Sequence, residues 1–170
     1  MKHNFIFKSI NEKNFKSLEP LLLTWFKEPH IDQWWPVPKE SEAFFNSFLK
    51  RIRSGTKPYL VLCNNVAIGY IQTYNINLDK NTWLPKITDN SIGIDQFIGE
   101  TEYLYKGIGP LFIKEFIQDI IFKKDKSVTV VIDPDPTNIA AIKCYQKVGF
   151  KELGTHQAPW GPALVMVYKI

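Results

Sequence analysis

The sequence predicts a single mixed α/β domain, and three observations carry that reading. Strand-like and helix-like stretches alternate along the chain, the order expected of a sheet covered by helices. Residues 128–132, Val-Thr-Val-Val-Ile, make a short, nearly continuous apolar run, as in a strand buried on both faces. Two close glycines, Gly107 and Gly109, open directly into an apolar stretch through Phe122 that must bury a broad helical face. With 170 residues, 45% of them hydrophobic and 14% aromatic, the chain can bury a sizeable core in one domain spanning 1–170, and no second domain is needed.

Taken in order, Asn4 to Ile10 alternates around Phe5 and Phe7 and reads as an opening strand. Phe15, Leu18, Leu22, Trp25 and Phe26 then recur at helical spacing, with Pro20 marking the first turn of the longer helical piece. The segment Pro29-His30-Ile31-Asp32-Gln33-Trp34-Trp35 breaks this regularity. Its adjacent tryptophans either cap the core or offer flat walls to a substrate, and His30 either orients the loop or acts as a base. Residues 40–54 form a second helix with Phe44, Phe48, Leu49 and Ile52 on one face and Gly55 as its stop. Tyr59 to Leu62 and Val66 to Tyr74 pair as a hairpin through Asn64-Asn65, because Asn tolerates the positive φ of a two-residue turn. Period-two alternation puts Tyr70, Gln72 and Tyr74 on one face, which either lines a cleft or is a half-buried polar face.

Residues 77–91 read as a loop in which Trp83 is a core plug or a lid. Ile92 to Glu100 is the strand before the glycines, and Asp95 interrupts it. A carboxylate in an apolar strand is costly unless it is paired, solvated or used, which makes Asp95 the leading catalytic candidate. Gly107 and Gly109 let the backbone turn and present N–H groups, and Pro110 suits the first turn of a helix. Such a helix mouth binds phosphate, or it is simply a turn before a core helix. Asp135-Pro136 supplies a helix cap and first-turn proline, which places Asn138 in the first turn and Tyr145 two turns on, nearly on the same face. Gly149 ends that helix. Residues 151–156 and 164–168 are a last strand pair joined by Ala-Pro-Trp-Gly-Pro.

Composition narrows the function classes. The longest apolar runs are too short to span a bilayer and the N-terminus lacks a secretory stretch, so a cytoplasmic protein with no membrane partner is expected. Cys63 and Cys144 alone make neither a disulfide framework nor a paired-cysteine metal site, and no metal is expected. The 21 Lys and Arg against 17 Asp and Glu favour an anionic partner, but the charges are scattered, which argues against nucleic acid.

The glycine stretch Tyr103-Leu104-Tyr105-Lys106-Gly107-Ile108-Gly109-Pro110-Leu111 and the later run Asp133-Pro134-Asp135-Pro136-Thr137-Asn138 to Tyr145 together resemble the acetyl-CoA-binding core of the GNAT acetyltransferases. Further blocks, Pro29 to Trp35, Ile68-Gly69-Tyr70-Ile71-Gln72-Thr73-Tyr74, Gly93-Ile94-Asp95-Gln96 and Gly161-Pro162-Ala163, are similar to the aminoglycoside 6'-N-acetyltransferase branch, in the same order, from about residue 25 to the C-terminus.

The resemblance implies a mostly antiparallel central sheet flanked by helices on both faces. It also implies acetyl-CoA as cosubstrate, held at Tyr105, Lys106, Gly107, Ile108, Gly109, Leu111 and Asn138. Leu104 stands where such loops commonly carry Gln or Arg, which leaves the phosphate to backbone amides and Lys106. Asp95 would take the proton of an acceptor ammonium, and Tyr145 would protonate the departing thiolate. The acceptor, a small-molecule amine, would lie among His30, Trp34, Trp35, Gln72, Tyr74, Trp83, Asp133 and Asp135, with Asp135 equally readable as a helix cap and Asp133 as a turn residue. The implied activity is acetylation of the 6'-amine of an aminoglycoside by a monomer or homodimer. The alternatives are acetylation of a hydroxylysine-type siderophore precursor or a protein amine, a non-catalytic acyl-CoA-binding protein, or a nucleic-acid module.

Overall fold

The computed structural model describes residues 3–76, 81–88 and 90–170. The chain divides into two compact units, residues 1–73 with 96–105, and residues 74–95 with 106–170.

The first unit begins with β1 (Phe5–Ser9), α1 (Glu12–Lys27), the short α2 (Pro29–Asp32) and α3 (Ser41–Arg53). The hairpin β2 (Lys57–Cys63) and β3 (Val66–Asn75) follows, and the strands stand in the order β1-β2-β3 with antiparallel pairing. Asn64 and Asn65, at φ 51° and 67°, make the hairpin turn that their side chains permit. Its core is aromatic. Phe15 stacks on Phe48 at 4.2 Å, and Phe26, Phe44, Tyr70 and Phe97 close around them.

Pro20 does not start a helix; it lies inside α1, which runs unbroken from Glu12. Asn11 and Asn14 bond reciprocally as a capping box, and Phe15, Leu22, Trp25 and Phe26 bury one stripe. These gains outweigh the roughly 3 kcal/mol that an interior proline costs.

The second unit carries the rest. β4 (Ser91–Ile98) begins in it and passes into the first unit, as β3 passes the other way. A 3₁₀ turn (Thr101–Tyr103) precedes α4 (Ile108–Phe116), which continues as a π-helical turn over Ile117–Phe122. Seven apolar positions between 111 and 121 exceed what one 3.6-residue stripe can bury. The wider turn brings Ile117, Ile121 and Phe122 inward together. β5 (Thr129–Ile132) is buried at every residue, as its continuous apolar run predicts, and lies between β4 and β7.

α5 (Ile139–Val148) ends at Gly149, and β6 (Lys151–Ala158) and β7 (Gly161–Tyr168) close the unit. This last hairpin is longer than expected, turning on Pro159 and Trp160 alone, with Ala158 opposite Gly161. Among the pairings of the described residues only β4 with β5 is parallel, so the expected mixed α/β fold with a mostly antiparallel sheet is what the chain adopts. No helix of the described residues is long and apolar enough to cross a membrane.

Candidate active site

The second unit gathers two carboxylates and two phenols. β4 pairs with β5 only over Ser91–Gly93, and Asp95 follows two residues on, at the point where this ladder has ended. Gly93 decides what stands beside it. A Cβ there would lie 2.3 Å from the ring of Tyr74, so only glycine lets that ring lie flat across the strand. The Tyr74 hydroxyl then reaches Asp95 Oδ1 at 3.5 Å.

Burial first, then the charges of Asp95 and Asp133 and a contribution from Tyr145, raise the Tyr74 pKa well above its ordinary value. The phenol is therefore a donor throughout the neutral range. Asp133, at the end of β5, has its own pKa pushed up to about 7 by burial and by the charge of Asp95. Tyr145 is buried on α5 against Phe150. A small cleft of about 50 Å³, open to solvent, is lined by Tyr74, Ile76, Trp83, Leu84, Asp133 and Trp160 among others.

The glycine loop leads into the N-terminus of α4. Gly107 adopts φ 75° and Tyr105 φ 59°, left-handed values that glycine takes freely and a tyrosine takes at a cost of roughly 1–2 kcal/mol. Among the described residues no side chain caps the N-terminus of α4, so its first N–H groups have no side-chain partner there, the arrangement found where helix ends bind anions. A side chain atom added at Gly107 would meet nothing within 4 Å, so the approach is open. Lys106 and Leu111 are exposed beside it, while Ile108 and Gly109 are buried and offer backbone only.

Asn138 stands elsewhere in its helix than expected. It is the N-cap of α5 itself, its side-chain oxygen accepting from the Ala141 N–H at 3.1 Å. Asp135 instead holds a tight turn, accepting from the N–H and hydroxyl of Thr137 at 2.8 and 2.6 Å, which keeps its carboxyl below the usual range.

An uncapped glycine mouth and a paired acid and phenol suit acyl transfer from a phosphate-bearing thioester. The family model described as "Acetyltransferase (GNAT) domain" matches residues 19–158. The chain belongs to the GNAT acetyltransferases. It is 31% identical over 155 residues to the aminoglycoside N(6')-acetyltransferase type 1 of Klebsiella pneumoniae, covering 86% of this chain and 76% of the relative. Similarity to the kanamycin resistance protein of Rhizobium radiobacter is 35% over 91 residues, 53% of this chain and 83% of that one. Among solved structures, aminoglycoside acetyltransferase AAC(6')-Ib in complex with coenzyme A and kanamycin superposes with a TM-score of 0.83 at 28% identity, over 98% of this chain and 95% of that one.

In this GNAT acetyltransferase the remaining candidates lie in the first unit. His30 places Nε2 2.9 Å from the carbonyl oxygen of Ile98. A carbonyl can only accept, so Nε2 carries the hydrogen and is committed to the backbone. Trp35 is half-buried, edge-on to Phe26, Tyr70 and Phe97, with the Arg51 guanidinium 5.9 Å from its ring. Trp34 is 40% exposed. Gln72 is buried and accepts from the Tyr70 hydroxyl at 2.7 Å.

Trp160 was not singled out by the sequence. It is 67% exposed at the tip of the β6–β7 turn, edge-on to Trp83 with ring centres 5.3 Å apart. The Trp83 indole N–H is buried without a hydrogen-bond partner among the described residues. The only sequence signal for Trp160 was a large aromatic between two prolines in a turn. Of the loop before Ser91, residues 77–80 and 89 lie outside the described residues.

Asp133 gives a stability prediction whose sign follows from its raised pKa. Between its ordinary value of 3.8 and about 7 the folded state keeps a proton that the unfolded chain releases, so stability falls as pH rises through that window and is level above it. Asp133→Asn is expected to melt a few degrees higher than the parent at pH 8, with the advantage vanishing toward pH 4. Thermal melts across that range check it.

Proposed function

We propose that this GNAT acetyltransferase transfers the acetyl group of acetyl-CoA to the 6'-amine of an aminoglycoside. The observation that carries the reading is the pair Asp95 and Asp133, two carboxylates whose charges act on each other and on Tyr74, with Asp133 and Tyr74 lining an open cleft. A polycationic acceptor needs local acid, and here it is concentrated in a chain whose net charge is +4. The names of the relatives, and the kanamycin in the complex of one of them, support the same acceptor class.

Asp95 takes a proton from the acceptor ammonium, and the free amine attacks the thioester carbonyl. The carbon–sulfur bond breaks as the amide forms; Tyr145 gives its proton to the thiolate and is restored by the second proton that the nitrogen sheds, so the products are the acetamide and free CoA. The uncapped mouth of α4 and Lys106 bind the pyrophosphate, and Asn138 reaches the pantetheine arm. Asp133 holds a second acceptor cation and ionises fully in doing so. Trp83 and Trp160 wall the acceptor cleft.

Acceptor binding therefore strengthens as pH rises through about 7, where Asp133 loses its proton. Expression in a susceptible bacterium is expected to raise the tolerated concentration of kanamycin. Unchanged tolerance together with no transfer to kanamycin by the purified protein would remove the aminoglycoside as acceptor.

A further inference from the structure

The two carboxylates of the site are chemically equivalent, yet the reaction asks one to be the base and the other to hold charge. The side chain between them is Tyr74. Its ring fills the space that Gly93 leaves on β4, since a Cβ at 93 would lie 2.3 Å from two of its carbons and 2.8 Å from its hydroxyl oxygen. The seat fixes where the hydroxyl points. It donates to Asp95 Oδ1, at 3.5 Å, while the same side chain shares the cleft lining with Asp133.

We propose that Tyr74 is a positioning residue that assigns the base role to Asp95, its hydroxyl orienting and stabilising that carboxylate. The inference rests on the reading of Asp95 as the base.

The charged and titratable groups facing Tyr74 are Asp95 on β4, Asp133 at the end of β5 and Tyr145 on α5. A neutral phenol donor acts on the ionised form of its acceptor, so it holds Asp95 in the state that can accept a proton at neutral pH. Coupling then works in the same direction on the partner. A charged Asp95 raises Asp133, so Asp133 reaches its ionised form only when an acceptor cation or higher pH offsets that charge. The Gly93-Ile94-Asp95 spacing puts the seat and the carboxylate on the same strand face, so one tyrosine serves both contacts.

The test is the pH profile of kcat at saturating acceptor, where the pH dependence of acceptor binding through Asp133 drops out, for Tyr74→Phe and Gly93→Ala beside the parent and Asp95→Asn, each checked for folding by its melting temperature. Removing the hydroxyl keeps the ring and its packing. The acidic limb of the Tyr74→Phe profile is expected to move upward by about one pH unit, so that kcat falls roughly tenfold on that limb and little on the plateau above it, the scale of one hydrogen bond to a charged group. Gly93→Ala, which displaces the ring, shifts the limb in the same direction. KM for acetyl-CoA stays within about twofold in both, for neither residue lies at the phosphate mouth.

If Asp95→Asn retains the acidic limb, the assignment of the base fails, and Tyr74 loses its role with it. If Asp95→Asn abolishes the limb but Tyr74→Phe leaves it unmoved, Asp95 is the base and Tyr74 does not position it. A fall in rate with an unshifted limb overturns the proposal equally, because a packing role lowers activity without changing a proton affinity.

Discussion

Asp95→Asn is expected to lower kcat/KM for an aminoglycoside acceptor by about 10²- to 10⁴-fold, the range for a positioned acid or base. The substitution keeps the size and the β4 backbone, and the Asn side-chain oxygen still accepts from Tyr74, so the loss is one of basicity. Raising the pH distinguishes this from general damage. Free amine then forms without help, so the variant's rate continues to climb after the parent has levelled off. KM for acetyl-CoA is expected to change little, since the carboxylate acts on the acceptor. Near-parental activity across pH would mean that Asp95 only orients the acceptor, and the base would have to be sought in another group or a bound water.

Gly107→Val is expected to abolish most acetyl-CoA binding. In the parent, acetyl-CoA at 100 times its dissociation constant stabilises the native state by about 2.7 kcal/mol, which for a chain of this size raises the melting temperature by roughly 5–10 °C. Valine acts twice against this. Its branched side chain is strained at φ 75°, and it projects into the open space through which the phosphate approaches. The strain lowers the melting temperature of the free protein, so the quantity to read is the ligand-induced shift. A shift equal to that of the parent would place the pyrophosphate away from this loop.

Much of the fold was legible because its signals are local. The Asn64-Asn65 turn, the buried β5 run, the glycine mouth of α4 and the Gly149 stop of α5 each follow from a few adjacent residues. Where two local signals competed, the stronger was not evident. Asp135-Pro136 looks like a helix cap, but its side chain closes a turn on Thr137 first and leaves the cap to Asn138. Pro20 looks like a helix start, yet the capping box at Asn11 and the burial of Phe15 begin the helix two turns earlier.

The site was legible as single residues and not as contacts. Asp95 stands out as a charge in an apolar strand, whereas its meeting with Tyr74 depends on Gly93, and no sequence pattern announces which ring a glycine will admit. Asp133 read as a turn residue or a cation ligand, and only its burial beside a second carboxylate explains a pKa of about 7. Net charge misleads for the same reason. A total of +4 is a property of the surface as a whole, and an acceptor responds to the carboxylates it touches.

The most direct test is the position of the acetyl group in the product. Purified protein, acetyl-CoA and kanamycin are incubated together, and the product is analysed by mass spectrometry and two-dimensional NMR. A single added acetyl group on the 6'-nitrogen, formed with one equivalent of free CoA, is the predicted result. Acetylation at another amine, or release of CoA with kanamycin unchanged, would contradict the account.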